Sequence, residues 1–161
     1  VILNDPAAVH ALKAVPKGGR ITLELGGRGS RLDPGPVTLE VEKLSESDGN
    51  YTLEDRHSHM AGSSGIHIAM GPCAVVRHRG ITLLLTSLKS APFDLGQWRS
   101  QGINPEDLRV IDVKAAVAHR QAYDKIMSET HTVTTRGPCS SDSRVFPYTR
   151  LRRPVFPLDI E

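Results

Sequence analysis

GPCAVVRHRGITLLLTS, residues 71–87, is the stretch whose reading decides the fold. Residues 74–77 and 81–86 read as two strands, and Arg79-Gly80 between them reads as a tight turn. Leu83, Leu84 and Leu85 follow one another without a polar break. Successive side chains of a strand point to opposite faces, so this strand is apolar on both and expects cover on both.

Working outward toward the start, residues 66–70 read as a further strand, ended by Gly71-Pro72. Residues 55–65, DRHSHMAGSSG, read as a flexible surface loop. PVTLEVEKL alternates well enough for a strand over 37–44, and Asp48-Gly49 predicts a hairpin turn into a strand at 51–53. Ile21, Leu23 and Leu25 alternate with Thr22 and Glu24, so residues 20–25 are a half-buried strand followed by the glycine-rich loop 26–36. At the beginning, a short strand over 1–3 leads into Asn4-Asp5-Pro6, a helix N-cap with proline pre-set for the first turn. Val9 and Leu12 recur at helical spacing before Pro16-Lys17-Gly18-Gly19 stops that helix.

Toward the end, Asp94 predicts the cap of a short helix closing near Gly102, and residues 104–107 turn into a buried strand over 108–113. A helix over 115–129 and a strand-like HTVTT, residues 131–135, follow. Residues 136–161 are broken by prolines and expected to wrap the surface. The predicted class is α/β: a mixed β-sheet with strand–helix–strand units at both ends, a central run of antiparallel hairpins, and a proline-rich tail, in one domain over residues 1–161.

The bulk composition fits a globular domain and excludes several functions. The formal net charge of +2 announces neither a nucleic-acid nor an acidic membrane partner. At 4% the aromatic content is also poor for base stacking. No apolar run approaches the roughly 20 residues that cross a bilayer. Cys73 and Cys139 are far apart in sequence, which argues against a disulfide framework or a zinc knuckle and points to a reducing, cytoplasmic setting. The chain opens VILNDPAAVH, without Met and in what reads as mid-strand, so it is expected to be part of a longer polypeptide.

Few residues carry chemical signals. His57 and His59, with His67 further on, invite a metal reading. No cysteine lies near them, however, and Asp55 is the nearest carboxylate. GGRGS, residues 26–30, is compatible with an anion nest but precedes a strand, unlike a phosphate-binding loop that opens a helix. Ser63, Ser64, Ser87 and Ser90 lie in no nucleophile elbow. VIDVKAAVAHRQAYDKI, residues 110–126, places Lys114, His119, Arg120 and Tyr123 at a predicted strand-to-helix junction. Ala115, Ala118, Ala122 and Ile126 share a helical stripe with His119 on the same side, which reads His119 as a core residue. Lys114 and Arg120 would flank the helix start, where the dipole and free N–H groups favour an anion such as a substrate carboxylate; a structural ion pair is the alternative.

Taken in order, several motifs resemble one family. DPAAV, LELGGRGS, SDGNY, MGPCAVVRHRGITLLLTS, PFDLGQWRSQGINPEDLRVIDVK and FPYTRLRRPVFPLD together are similar to the C-terminal domain of the MlrC family, metallopeptidase-like proteins named for an enzyme of microcystin breakdown. The resemblance runs over most of the chain. It implies zinc-dependent hydrolysis of a small peptide or amide substrate. The zinc would be held by Asp and His ligands of a larger N-terminal catalytic domain that is absent from this chain and would be its partner. It implies no metal site here, and a domain that shapes the substrate cleft, with Lys114 and Arg120 binding substrate or partner and His119 at the cleft edge. The proline-rich tail is long enough to bridge subunits of a homo-oligomer.

The family's pattern at the junction reads approximately V-K-S-x-x-H-F-R-A. Aligned on Val113 and Lys114, this chain keeps the Lys and Arg120 but has Ala115 for the Ser, Ala118 for the His and His119 for the aromatic. A shift of one position turns a helical side chain by about 100°, so His119 cannot stand in for the family's His. A divergent, non-catalytic ligand-binding or assembly domain is the competing expectation.

Overall fold

The computed structural model describes residues 1–135, 140 and 142–159. They fall into two compact units, Val1–Gly26 with Pro36–Thr130, and Gly27–Gly35 with His131–Glu161.

The first unit is built on a five-stranded mixed sheet in the order β1-β7-β6-β3-β2, formed by β1 (Ile2–Asn4), β2 (Arg20–Leu25), β3 (Val37–Ser47), β6 (Cys73–His78) and β7 (Ile81–Thr86). β1 runs parallel to β7, and the remaining pairs are antiparallel. The turn predicted at Arg79-Gly80 joins β6 to β7 in register from Cys73↔Thr86 to His78↔Ile81, with Arg79 in the left-handed region at φ 52°.

The strand expected to be covered on both faces is covered on both. Leu83 and Leu85 pack with Ala74, Val76 and Val41 beneath α1 (Pro6–Leu12), whose Ala8, Val9 and Leu12 are buried. Leu84, Val75 and Cys73 face the opposite way, into a larger cluster with Tyr51, Met70, Leu95, Trp98 and Tyr123. Helix α1 starts where the sequence predicts: Asp5 Oδ1 accepts from Ala8 N at 3.1 Å, and Pro6 stands in the first turn. At its other end the buried amine of Lys43 donates to the carbonyls of Leu12 (3.0 Å) and Val15 (2.9 Å), satisfying acceptors that a helix end leaves open.

Asp48-Gly49 does not make the predicted hairpin. The chain instead leaves the large sheet there, and β4 (Asn50–Thr52) pairs antiparallel with β5 (His67–Ala69) as a separate two-stranded sheet. Gly49 is required at this crossing: its φ is +72°, and a Cβ would lie 2.0 Å from the carbonyl oxygen of Gly71. The loop predicted at 55–65 contains a helix, α2 (His59–Ser64), capped by Ser58 Oγ accepting from Ala61 N at 3.2 Å.

Two helices complete this unit, α3 (Gly96–Arg99) and α4 (Arg120–Tyr123). The second strand–helix–strand unit does not form. Residues 108–113 join no sheet, the predicted helix over 115–129 is a single turn, and residues 131–135 are exposed without strand structure. Only the turn of the alanine stripe that seats Ala122 and Tyr123 in the core is helical.

In the second unit, Ser30 N donates to Asp33 Oδ2 at 2.6 Å, and Asp142 caps the 3₁₀ turn Ser143–Val145 by accepting from Arg144 N at 3.0 Å. Asp159 accepts from Val155 N at 2.9 Å and from Arg153. Cys139 lies outside the described residues.

Candidate functional site

The sequence-predicted site residues are placed around α4. Its anchor is Tyr123, fully buried, whose hydroxyl accepts a hydrogen bond from Trp98 Nε1 of α3 at 3.0 Å. Burial pushes the Tyr123 hydroxyl up to about 12, the Trp98 bond opposing part of that rise. It therefore stays protonated at neutral pH. Tyr51, in the same cluster, is raised too, first by burial and then by the charge of Asp94.

His119 is buried, and its ring meets that of Tyr123 edge-on at 6.2 Å between centroids. Nδ1 of His119 is buried and, among the described residues, has no hydrogen-bond partner. This is the core placement that the alanine stripe predicted. Lys114 and Arg120 are both exposed, and neither side chain makes an ion pair among the described residues. With α4 beginning at Arg120, Lys114 lies well upstream of the helix start, so the dipole argument that joined the two cations to one helix N-terminus falls away.

Asp94 holds the region together. Its buried carboxylate accepts from Gly96 N (2.8 Å), Glu54 N (3.1 Å) and Asp55 N (3.3 Å), fixing the start of α3 against the loop after β4. Asp55 in turn accepts from Gln121 Nε2 at 2.7 Å, which ties α4 to the same loop. Arg99 of α3 pairs with both Glu54 and Glu106.

Beside this region opens a pocket of about 280 Å³. Met60, Ile68, Ala91 and Phe93 line it with apolar surface, and His59, His67, Lys89, Ser63, Ser64 and Ser90 supply its polar groups. No carboxylate lines it. Gln97 Nε2 donates to Ser90 Oγ at 3.1 Å, which fixes one wall. Among the described residues none of Ser63, Ser64, Ser87 or Ser90 is hydrogen-bonded to a histidine, the usual base for activating a hydroxyl. The sequence singled out the histidines and serines but not Lys89 or Phe93, which only the packing of β5 against the segment after β7 brings in.

The metal reading of the histidines does not fit. Ser58 between them is the cap of α2, with His57 outside the helix and His59 within it. His59 and His67 line the pocket but His57 does not, and His67 Nδ1 lies 3.2 Å from Thr52 Oγ1. Among the described residues no three His, Cys, Asp or Glu side chains gather as a metal would require. The glycine turn at 26–30 is likewise engaged within the chain: Gly26 N donates to Asp5 Oδ2 at 3.1 Å. Cys73 is buried, its thiol donating to Gly71 O, and burial pushes it up to about 11, which leaves it unreactive near neutrality.

With the geometry in place, comparison with known proteins decides the family. The family model for the MlrC C-terminus matches residues 1–150. The chain belongs to the MlrC family. Its fold is also that of a crystal structure named "Putative metallopeptidase" from Mesorhizobium sp. BNC1, with a TM-score of 0.81 at 21% identity. That likeness covers 100% of this chain and 31% of the other, so the MlrC C-terminal region described here spans about a third of that protein's length. No curated protein matches it in sequence.

Proposed function

We propose that this chain is the C-terminal domain of an MlrC-like, zinc-dependent hydrolase of peptide or amide bonds, acting in the cytoplasm. It packs on an N-terminal catalytic domain and forms part of the wall of its substrate cleft. The observation that carries the reading is the family match over residues 1–150, joined to a fold shared with a protein named as a metallopeptidase. Among the described residues no group of side chains fits a zinc site, so the reading assigns the metal to the N-terminal part and takes no catalytic step through this chain. What the chain offers is binding. The exposed Lys114 and Arg120 are cations without partners of their own among the described residues, suited to a substrate carboxylate or to the partner domain.

Two alanines favour a second reading. Ala115 and Ala118 stand where the family pattern has Ser and His, which fits a non-catalytic ligand-binding or assembly member. Hydrolysis of short peptides by the full-length protein, before and after a chelator, separates the two. Activity lost to the chelator and restored by zinc supports the hydrolase; no turnover of any peptide in a folded, zinc-supplemented protein supports the binding module.

A further inference from the structure

Residues 108–118, LRVIDVKAAVA, sit in an environment their composition does not match. The alternation of a buried strand is present, and half of it is used: Ile111 and Val113 pack on the cluster containing Trp98 and Tyr123. The other half faces solvent. Val110, on that outer side, is 85% exposed, and Val117, which follows the turn where Ala115 N donates to Val113 O, is 67% exposed. The backbone is as poorly provided for as the side chains. Among the described residues, Leu108 and Ala115 alone in this stretch donate an N–H to a backbone carbonyl. A single exposed valine means little. Two exposed valines on a segment whose N–H groups lack backbone acceptors mark a surface without its cover.

The comparisons point to what covers it. The related crystal structure has more than twice as much further polypeptide, and the family match is to the C-terminal region. Within residues 108–120 the exposed charged side chains are Arg109, Lys114 and Arg120, against Asp112. We propose that residues 108–118 are the surface on which the N-terminal part of the polypeptide docks. Val110 and Val117 are buried there, backbone acceptors of the docked part meet the N–H groups of residues 109–114, and acidic side chains meet the cationic rim. This rests on the reading above that an N-terminal domain packs on this one.

Hydrogen exchange measured on the full-length protein tests it. Amides of residues 109–114, which here lack backbone acceptors, are expected to exchange at least about ten-fold more slowly than their intrinsic rates. Exchange at the intrinsic rate overturns the proposal. Protection that disappears on dilution also overturns it, because the occupant is then a second copy of the chain. Val110→Asp with Val117→Asp in the full-length protein should return these amides to near-intrinsic exchange while β7 stays protected. Unchanged protection in that variant overturns the role of the two valines. Chelator-sensitive hydrolysis measured on the same sample keeps the two ideas apart. Activity with unprotected amides removes the docking surface and leaves the hydrolase; protection without activity does the reverse.

Discussion

Trp98 Nε1 donates to the hydroxyl of Tyr123 at 3.0 Å with both side chains buried, and this bond joins α3 to the single turn of α4. It decides how the segment that first suggested an active site is held. Tyr123→Phe keeps the ring but leaves the indole N–H buried without an acceptor. A loss of about 1–3 kcal/mol is expected in urea unfolding, the usual range for an orphaned buried donor. A loss within experimental error would mean that the bond does not anchor α4.

The two buried tyrosines also predict a response to alkali. Tyr123 has a folded-state value raised from 10.0 to about 12, and Tyr51 is raised as well. A raised value favours the neutral form in the folded state, so the stability it contributes is complete below pH 10 and is lost as pH rises toward 12. Absorbance titration of phenolate should show these two hydroxyls resisting ionisation until the protein unfolds. Ionisation of all tyrosines near pH 10 in the folded protein would contradict their burial.

Lys43 makes a prediction of a different kind, because its amine closes the end of α1. Lys43→Met keeps much of the apolar stem but leaves the carbonyl of Val15 without the lysine's donor and that of Leu12 with the Val15 N–H alone, and about 1–3 kcal/mol of stability should go with it. The same amine bonds Glu46 Oε2 at 2.6 Å and holds that carboxyl below its ordinary value. NMR titration of Glu46 should therefore move up in the variant. In the parent protein the depressed value means that the Lys43–Glu46 contact operates above the ordinary carboxylate range and is lost as pH falls through the folded value. An unmoved Glu46 titration would show that the pair is not formed in solution.

Asp94→Ala removes the acceptor of three backbone N–H groups, from Gly96, Glu54 and Asp55. It should destabilise the protein more than Tyr123→Phe does, by about 3 kcal/mol or more. In Asp94→Asn, which keeps one carbonyl oxygen and removes the charge, the Tyr51 hydroxyl should titrate lower, since Asp94 contributes to raising it. An Asp94→Ala protein as stable as the parent would remove the carboxylate from the account of how this region is built.

The parts of the fold legible in the sequence are those whose pattern and environment agree. Residues 20–25 alternate and form a half-buried strand, and Leu83, Leu84 and Leu85 lie under cover on both faces. Asp5 and Pro6 start a helix because the cap chemistry is local. Lys43 was missed, although a signal existed: it has the parity of Val41, so the alternation that buries Val41 buries the lysine too. Helix α2 was missed because Gly62, Ser63 and Ser64 are weak helix formers. The hairpin at Asp48-Gly49 failed because a turn dipeptide fixes a change of direction and not the partner beyond it. The pattern over 108–129 promised a strand and a helix that this chain does not complete. A local pattern can report that a face is meant to be buried without reporting what buries it.

Of the candidate site, the sequence reads His119 as core, and it is buried; Lys114 and Arg120 are exposed, but the helix start expected to join them does not reach Lys114. Their role bears on a separate prediction. Lys114→Ala with Arg120→Ala in the full-length protein should raise KM or lower kcat for peptide hydrolysis with the fold intact. Unchanged kinetics would remove both from the cleft.

The measurement that bears most directly on the central claim is the zinc content of the intact polypeptide, purified without chelator, alongside its rate of peptide hydrolysis. Stoichiometric zinc, with hydrolysis that falls and returns with it, is the predicted result. A folded, full-length protein that takes up no zinc and cleaves no peptide would contradict the account.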